Sequence, residues 1–219
     1  MPNAVELSEK LADVGQSLYR AGMLAGTDGN LSARIDSDTI LITRSGAAKG
    51  RLGKTDFLKV DLNGRALDSD LKPSSESSMH LTVFEHRPDI MACVHSHPPF
   101  STSFAVAGIK LERNVLPEVA VFVGEIPLID YAPPGIGAIS KAITPFVKEH
   151  NAFLLRNHGL LTIGRTIDEA FHRHETVEHY ARILFLAIRL GNVNTIPNDE
   201  LKRLDELRRS RELAAVGES

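Results

Sequence analysis

Tryptophan is absent from this chain of 219 residues, and cysteine occurs once, as Cys93. A single thiol excludes an intramolecular disulfide framework. Long apolar runs are missing as well: Ile183-Leu-Phe-Leu-Ala-Ile188 is far too short to span a bilayer. The opening MPNAVELSEK carries two glutamates and a lysine and lacks the apolar segment of a signal peptide. The expectation is a soluble, cytoplasmic protein with no membrane partner. There is no basic run, and the formal net charge is -3, which leaves no electrostatic footprint for nucleic acid. An anionic ligand must therefore be held locally, by a few donors. Neither a Walker loop nor a dinucleotide-binding fingerprint occurs. With no repeat and no Pro/Gly/Ser-rich linker, the chain 1–219 reads as one domain.

Apolar residues make up 42% and charged residues 24%, a balance that places the chain with globular proteins rather than disordered ones. Leu7, Leu11, Val14 and Leu18 recur at helical spacing and predict a first helix from Val5 to about Ala21, ended by Gly22. Short strands follow at Leu31–Ile35, Thr39–Thr43 and Phe57–Leu62, the last turning at Asn63-Gly64 into Arg65–Leu67. Pro73-Ser-Ser-Glu76 predicts a helix start, with Ser74 or Ser75 as cap and a helix running to about Arg87. Beyond it the pattern predicts a strand Ile90–His97, a short helix Ser101–Ala107, and one or two strands in Val119–Ile129. A helix from Pro134-Gly135 to about Glu149 precedes strands Phe153–Arg156 and Leu160–Ile163. A long helix Asp168–Leu190, closed by Gly191, and an amphipathic tail helix from Asp199 to Leu213 complete the chain. Several strands meet through short turns, so the sheet should be mixed or antiparallel with helices around it.

The stretch Met91-Ala-Cys-Val-His-Ser-His-Pro-Pro-Phe100 concentrates the chemistry. Alternate residues of a strand share a face, so His95 and His97 point the same way with Cβ atoms about 6–7 Å apart. Two imidazoles at that spacing can converge on one ion. The prolines end the strand behind the second ring. A third histidine, His158, follows another buried strand with Gly159 beside it. Three histidines with an open fourth position is the ligand pattern of a catalytic zinc rather than a closed structural one. Cys93 shares the parity of the pair; a thiolate ligand is conceivable there, and simple packing is favoured. The rival cluster His172–His179 places His174 and Glu178, and Glu175 and His179, one helical turn apart. Those pairs read as surface or interfacial ion pairs.

Glu76 has two readings at this level. It can complement the dipole of its helix. Alternatively, Pro73-Ser-Ser-Glu76 can offer amides and hydroxyls to an anion. Gly26-Thr-Asp-Gly-Asn30 and Ser45-Gly46 are equally open, as bends or as parts of an anion pocket.

Taken in order, Gly29-Asn30-Leu-Ser32, Thr43-Arg-Ser-Gly46, Pro73-Ser-Ser-Glu76, His95-Ser-His-Pro98, Tyr131-Ala-Pro-Pro-Gly135 and Asn157-His-Gly159 resemble the class II aldolase/adducin superfamily. The likeness is greatest to its fuculose-1-phosphate aldolase and ribulose-phosphate epimerase group, and it runs from the first helix to about Arg208. It implies a three-layer α/β/α fold with a mixed, mainly antiparallel central sheet. It also implies one zinc per subunit, replaceable by manganese or cobalt, held by His95, His97 and His158. Glu76 would be the catalytic acid/base, and Gly29, Asn30, Ser45, Gly46, Ser74 and Ser75 the pocket for a substrate phosphate. The implied reaction is retro-aldol cleavage of a short ketose 1-phosphate to dihydroxyacetone phosphate and an aldehyde, through a metal-stabilised enediolate, in a homotetramer with sites at subunit boundaries. Epimerisation of ribulose phosphate, dehydration of methylthioribulose phosphate or decarboxylation of a sugar-acid phosphate would use the same site. An adducin-like interaction module would not need the four site residues together. Two departures stand out. Val115-Leu-Pro-Glu118 and the C-terminal tail lack the tyrosines that handle the aldehyde in the fuculose-phosphate enzyme, so Glu118 becomes a polar contact there or stays structural. Arg44 stands where proline is usual, either adding charge near the phosphate or pointing outward.

Overall fold

A computed structural model describes residues 3–133 and 137–217, the last three by backbone alone. Its centre is a seven-stranded sheet in the order β3-β2-β1-β4-β7-β6-β5, with β1 Asn30–Arg34, β2 Thr39–Thr43, β3 Phe57–Asp61, β4 Ala92–Ser96, β5 Leu128–Ile129, β6 Ala152–Leu155 and β7 Gly159–Gly164. Every neighbouring pair is antiparallel except β5 and β6. The sheet is thus mixed and mainly antiparallel, as the sequence leads one to expect.

Side-chain alternation along the strands builds two cores. On one face, Ile40, Ile42, Leu58, Val60, Cys93 and Ile163 pack beneath α2 (Ser77–His86) and α4 (Ala138–Ile143), which contribute Met79, Val83, Phe84, Ile139 and Ile143. On the other, α1 (Ala4–Arg20) lays Leu7, Leu11, Val14 and Leu18 over Leu31, Ala33 and Val94. Beside it, α3 (Pro99–Ala107) and α5 (Ile167–Leu190) cover Ala152, Leu154 and Leu160. Each large apolar side chain so buried is worth about 1.5–3 kcal/mol. The result is three layers, helix on sheet on helix. The tail helix α6 (Asn198–Gly217) packs through Leu204 on Ala120 and Val121. None of the helices in the described residues is long and apolar enough to cross a membrane.

Three expectations need correction. Val119–Val123 is a π-helical turn, not a strand; of the expected strand region only Leu128–Ile129 joins the sheet. The β-branched run reads as a strand, but its residues are buried in two directions at once, Val119 and Val123 against α5 and Ala120 and Val121 against α6. Tertiary packing overrides local propensity there. The helix expected to reach Glu149 stops at Ile143, with Pro145 just beyond, and continues only as turns. Its expected opening at Pro134-Gly135 lies outside the described residues. Finally, the cap position of α2 is Glu76 itself, and no side chain caps the helix. Ser74 Oγ instead accepts from the Glu76 amide at 3.4 Å.

Candidate active site

The site lies where β4 ends. His95 is the fourth residue of that strand and fully buried; His97 follows one residue past its end, before Pro98 and Pro99 open α3. The prolines that terminate the strand also start the helix, Pro99 at its first position. His158 arrives from the β6–β7 hairpin, whose Asn157 takes a left-handed φ of 56°.

Two glycines let these segments close on one another. A Cβ at Gly159 would stand 2.5 Å from Ser96 O and 2.6 Å from the His97 ring. A Cβ at Gly29, whose φ is +74°, would stand 2.6 Å from His95 O. Both positions exclude any side chain.

The three imidazoles meet with ring centroids 4.8, 5.1 and 5.2 Å apart, and one ligating atom from each lies within 4.8 Å of the others. An ion with bonds of about 2.0–2.1 Å spaces tetrahedral ligands by about 3.4 Å, so the rings need only tilt inward. His95 Nδ1–H donates to Leu160 O at 2.9 Å, because a carbonyl can only accept. Its Nε2 is then a bare lone pair in the neutral ring. Among the described residues it is buried without a hydrogen-bond partner, as is His97 Nε2. Glu76 completes the cluster, with Oε1 2.7 Å from His158 Nε2 and Oε2 3.4 Å from His95 Nε2. Lone pairs and a carboxylate crowded together require a proton or a cation between them. The donor set fits a divalent ion, and this group could hold one.

Burial alone would raise the Glu76 carboxyl, but the contact with His158 and then the neighbouring His95 ring outweigh it and hold the group well below the usual carboxylate range. Burial, followed by the neighbouring His95 and His158, pushes His97 down to about 4. Asn30 fixes the carboxylate from the far side, its Nδ2 donating to Glu76 Oε2 at 2.7 Å and to Ser74 Oγ at 3.1 Å.

The segments expected to form an anion pocket also converge. Ser74 N donates to Thr43 O at 3.1 Å and Ser45 N to Lys72 O at 2.9 Å, which lays Pro73–Ser75 alongside the loop after β2. Gly29 and Asn30 enter β1 beside them. Arg44 turns away: its guanidinium pairs with Asp56 at 2.6 Å. Glu118 is exposed. Cys93 is core packing, its thiol pushed up by burial.

Sequence reasoning missed Lys49. It is 2% exposed, and its Nζ donates to Thr27 O at 2.9 Å and Ala47 O at 2.7 Å, tying the Gly26–Asn30 loop to the Ser45–Gly50 loop. The available signal was a lysine inside a glycine-bearing loop. The histidine cluster of α5 also needs correction. His174 and Glu178 are interior groups with hydrogen-bond partners, rather than surface ion pairs.

The profile of the family "Class II Aldolase and Adducin N-terminal domain" matches residues 9–185. The 3-oxo-tetronate 4-phosphate decarboxylase of Pectobacterium atrosepticum is 30% identical over 181 residues, 81% of this chain and 83% of that protein. The L-fuculose phosphate aldolase of Methanococcus maripaludis is 34% identical over 169 residues, 77% of this chain and 91% of that one. Among solved structures, YgbL of Klebsiella pneumoniae, assigned broadly as aldolase/epimerase/decarboxylase, superposes with a TM-score of 0.85 at 31% identity, covering 93% of this chain and 100% of its own. The fold, the motif order and these likenesses agree: this chain belongs to the class II aldolase/adducin family.

Proposed function

We propose that this chain is a metal-dependent lyase that breaks a carbon–carbon bond beside the carbonyl of a short phosphorylated sugar. The observation that carries this reading is the Glu76 carboxylate, oriented by Asn30 and set directly against two of three converging imidazoles. His95, His97 and His158 are the ligands in this reading, and zinc is the ion, with manganese and cobalt as substitutes. A divalent cation bound there would polarise the substrate carbonyl and absorb the charge that bond cleavage releases.

The chain's own groups do the rest. Gly29, Asn30, Ser45, Gly46, Ser74 and Ser75 line the phosphate pocket and grip it through serine hydroxyls and the amides not already donated to Thr43 O and Lys72 O, and Lys49 braces two of the loops that carry them. In retro-aldol cleavage of a ketose 1-phosphate, the C3–C4 bond breaks and its electron pair moves onto C3, forming the enediolate with the C2 oxygen. The C4 hydroxyl loses its proton as the aldehyde forms. Glu76 takes that proton and delivers it to C3, giving dihydroxyacetone phosphate. Such a role requires Glu76 to be ionised at rest, in keeping with its depressed titration.

A second reading is decarboxylation of a 3-oxo sugar-acid phosphate, supported by the decarboxylase relatives. The electron flow is shared; carbon dioxide leaves in place of the aldehyde, no hydroxyl proton has to be removed, and the proton that the carbon then takes up comes from water. The stretch Val115–Glu118, without a tyrosine, suits this economy. The two are separated by incubating zinc-loaded protein with deoxy-ketose 1-phosphates and with 3-oxo-tetronate 4-phosphates, following products by phosphorus and proton NMR. Dihydroxyacetone phosphate together with an aldehyde from the ketose phosphates supports the first reading; the same triose phosphate together with carbon dioxide from the oxo-acid phosphates supports the second. Neither product from any substrate in the panel would overturn both.

We also infer a homotetramer. Exposed Val106, Ile109, Phe185, Leu186, Ile188 and Leu190 on α3, its following turn and the end of α5 support a subunit contact. Light scattering of the purified protein tests it.

A further inference from the structure

Of the three converging histidines, His97 is held least by its surroundings. Its side chain is 31% exposed, against 0% for His95 and 16% for His158. His95 sits inside the ladder with its Nδ1–H on Leu160 O. Among the described residues, the charged group nearest His97 Nδ1 outside the cluster is the Asp28 carboxylate at 3.7 Å, beyond hydrogen-bond reach. It lies past the last strand residue and before the first helix residue, and the next two residues, Pro98 and Pro99, have no N–H to anchor the backbone.

Both ends of that short bridge are gripped from α5, by two side chains one helical turn apart. On the strand side, Ser96 O–H donates to His174 Nε2 at 2.7 Å. His174 Nδ1–H donates in turn to Thr162 Oγ1 at 3.0 Å, and Thr162 passes its own proton to Ala170 O at 2.8 Å. The final carbonyl can only accept, so Thr162 donates to it and accepts from His174 Nδ1–H; in the neutral ring Nε2 is then the acceptor for Ser96 O–H. On the helix side, Glu178 accepts from Phe100 N at 2.9 Å, Ser101 N at 2.8 Å and Ser101 Oγ at 2.7 Å. Both His174 and Glu178 are buried, and neither touches the other histidines' free nitrogens.

We propose that His174 and Glu178 are positioning residues: a two-point clamp on Ser96 and Phe100–Ser101 that holds His97 where it can bind the metal. The proposal rests on His95, His97 and His158 being the metal ligands. Outer groups that orient ligands are worth about 10–100-fold in metal affinity.

The test measures zinc affinity by chelator competition and the visible spectrum of the cobalt-substituted full-length protein. His174→Gln and Glu178→Gln should each weaken zinc by about 10-fold or more and shift the cobalt bands. Ser96→Ala and Ser101→Ala, which delete one hydroxyl each, should move both readouts in the same direction by less. Tyr180→Phe is the control. It removes a part-buried hydrogen bond to Glu112 O from the same helix, one that does not touch Ser96, Phe100 or Ser101, and should leave both readouts at wild-type values. Clamp variants that bind zinc like the wild type with an unchanged spectrum would overturn the proposal, as would an equal loss in Tyr180→Phe. Should the glutamine variants not fold, the two alanine variants decide on the same criteria. A wild-type protein that binds neither zinc nor cobalt sinks the metal reading itself, and the clamp with it.

Discussion

The strand β4 separates two buried histidine neighbourhoods that the sequence presents as rivals, and their nitrogens behave in opposite ways. On one face His95 and His97 each carry a buried Nε2 with no partner. On the other, both nitrogens of His174 are engaged, by Ser96 and Thr162. Leaving a buried polar atom unpaired costs about 1–3 kcal/mol, so two such atoms aimed at one another's neighbourhood are a standing demand for a missing group. A fully paired ring makes no such demand. Convergence of vacancies tells a binding centre from a brace: His80 Nε2 also lacks a partner, but it stands outside the group formed by His95, His97 and His158.

The strongest way to break this comparison is to delete a group on the vacant face. His158→Ala should abolish zinc retention through gel filtration and nearly all turnover while shifting the unfolding midpoint little, since the ring sits at a hairpin. The corresponding deletion on the satisfied face, His174→Ala, should cost about 1–3 kcal/mol in urea unfolding by leaving the Ser96 hydroxyl unpaired, while Thr162 keeps its bond to Ala170 O. If the two variants exchange these effects, the assignment of faces is wrong. Next in size, Glu76→Gln should keep metal content and fold but slow turnover by about 10²–10⁴-fold, the usual worth of a general acid/base. Wild-type-like rates would remove Glu76 from the chemistry. Smaller still, Lys49→Met should raise KM for a phosphorylated substrate by about 10-fold, roughly 1.4 kcal/mol, with kcat and zinc content little changed. An unchanged KM would mean that the lysine only ties loops together.

Much of this was legible before any coordinates. The strand-end pair His95 and His97, the partner His158, and the mixed sheet all follow from period-two alternation and from prolines that halt a strand. The π-turn at Val119–Val123 was not, because a β-branched run looks the same whether its neighbours are strands or two helices. The inward face of His172–His179 was missed for a related reason. Spacing along a helix shows which residues share a face, but not whether that face looks at solvent or at the ligand strand. Spacing alone did not show what Glu76 touches, and its contact with His158 at 2.7 Å joins two segments far apart in sequence. Lys49 escaped because a buried ammonium has no signature beyond the loops it joins.

The finest test of the satisfied face is its acid response. Burial, helped by nearby His95, pushes His174 down to about 3; burial does the same to His80, whose Nδ1 is 2.6 Å from Ser32 Oγ. Both rings therefore stay neutral in the folded protein at pH values where an unfolded histidine, titrating near 6.5, takes up a proton. Between these limits the unfolded chain binds more protons than the native one, so stability falls as the pH drops. Each ring contributes a slope of up to about 1.4 kcal/mol per pH unit below pH 6.5. Glu76 has the same sign, but its contribution is lost only as pH falls below the unfolded carboxylate value near 4.5, outside a window of pH 5–7. Urea unfolding of metal-free protein across that window should give a variant His174→Gln that is less stable than wild type at pH 7, with a shallower slope by one proton. The two lines must converge toward pH 5. Parallel lines would mean that His174 titrates in the fold as it does in the unfolded chain, so that Nε2–H would donate to Ser96 Oγ in acid, while the bonds from Nδ1 through Thr162 to Ala170 keep their order.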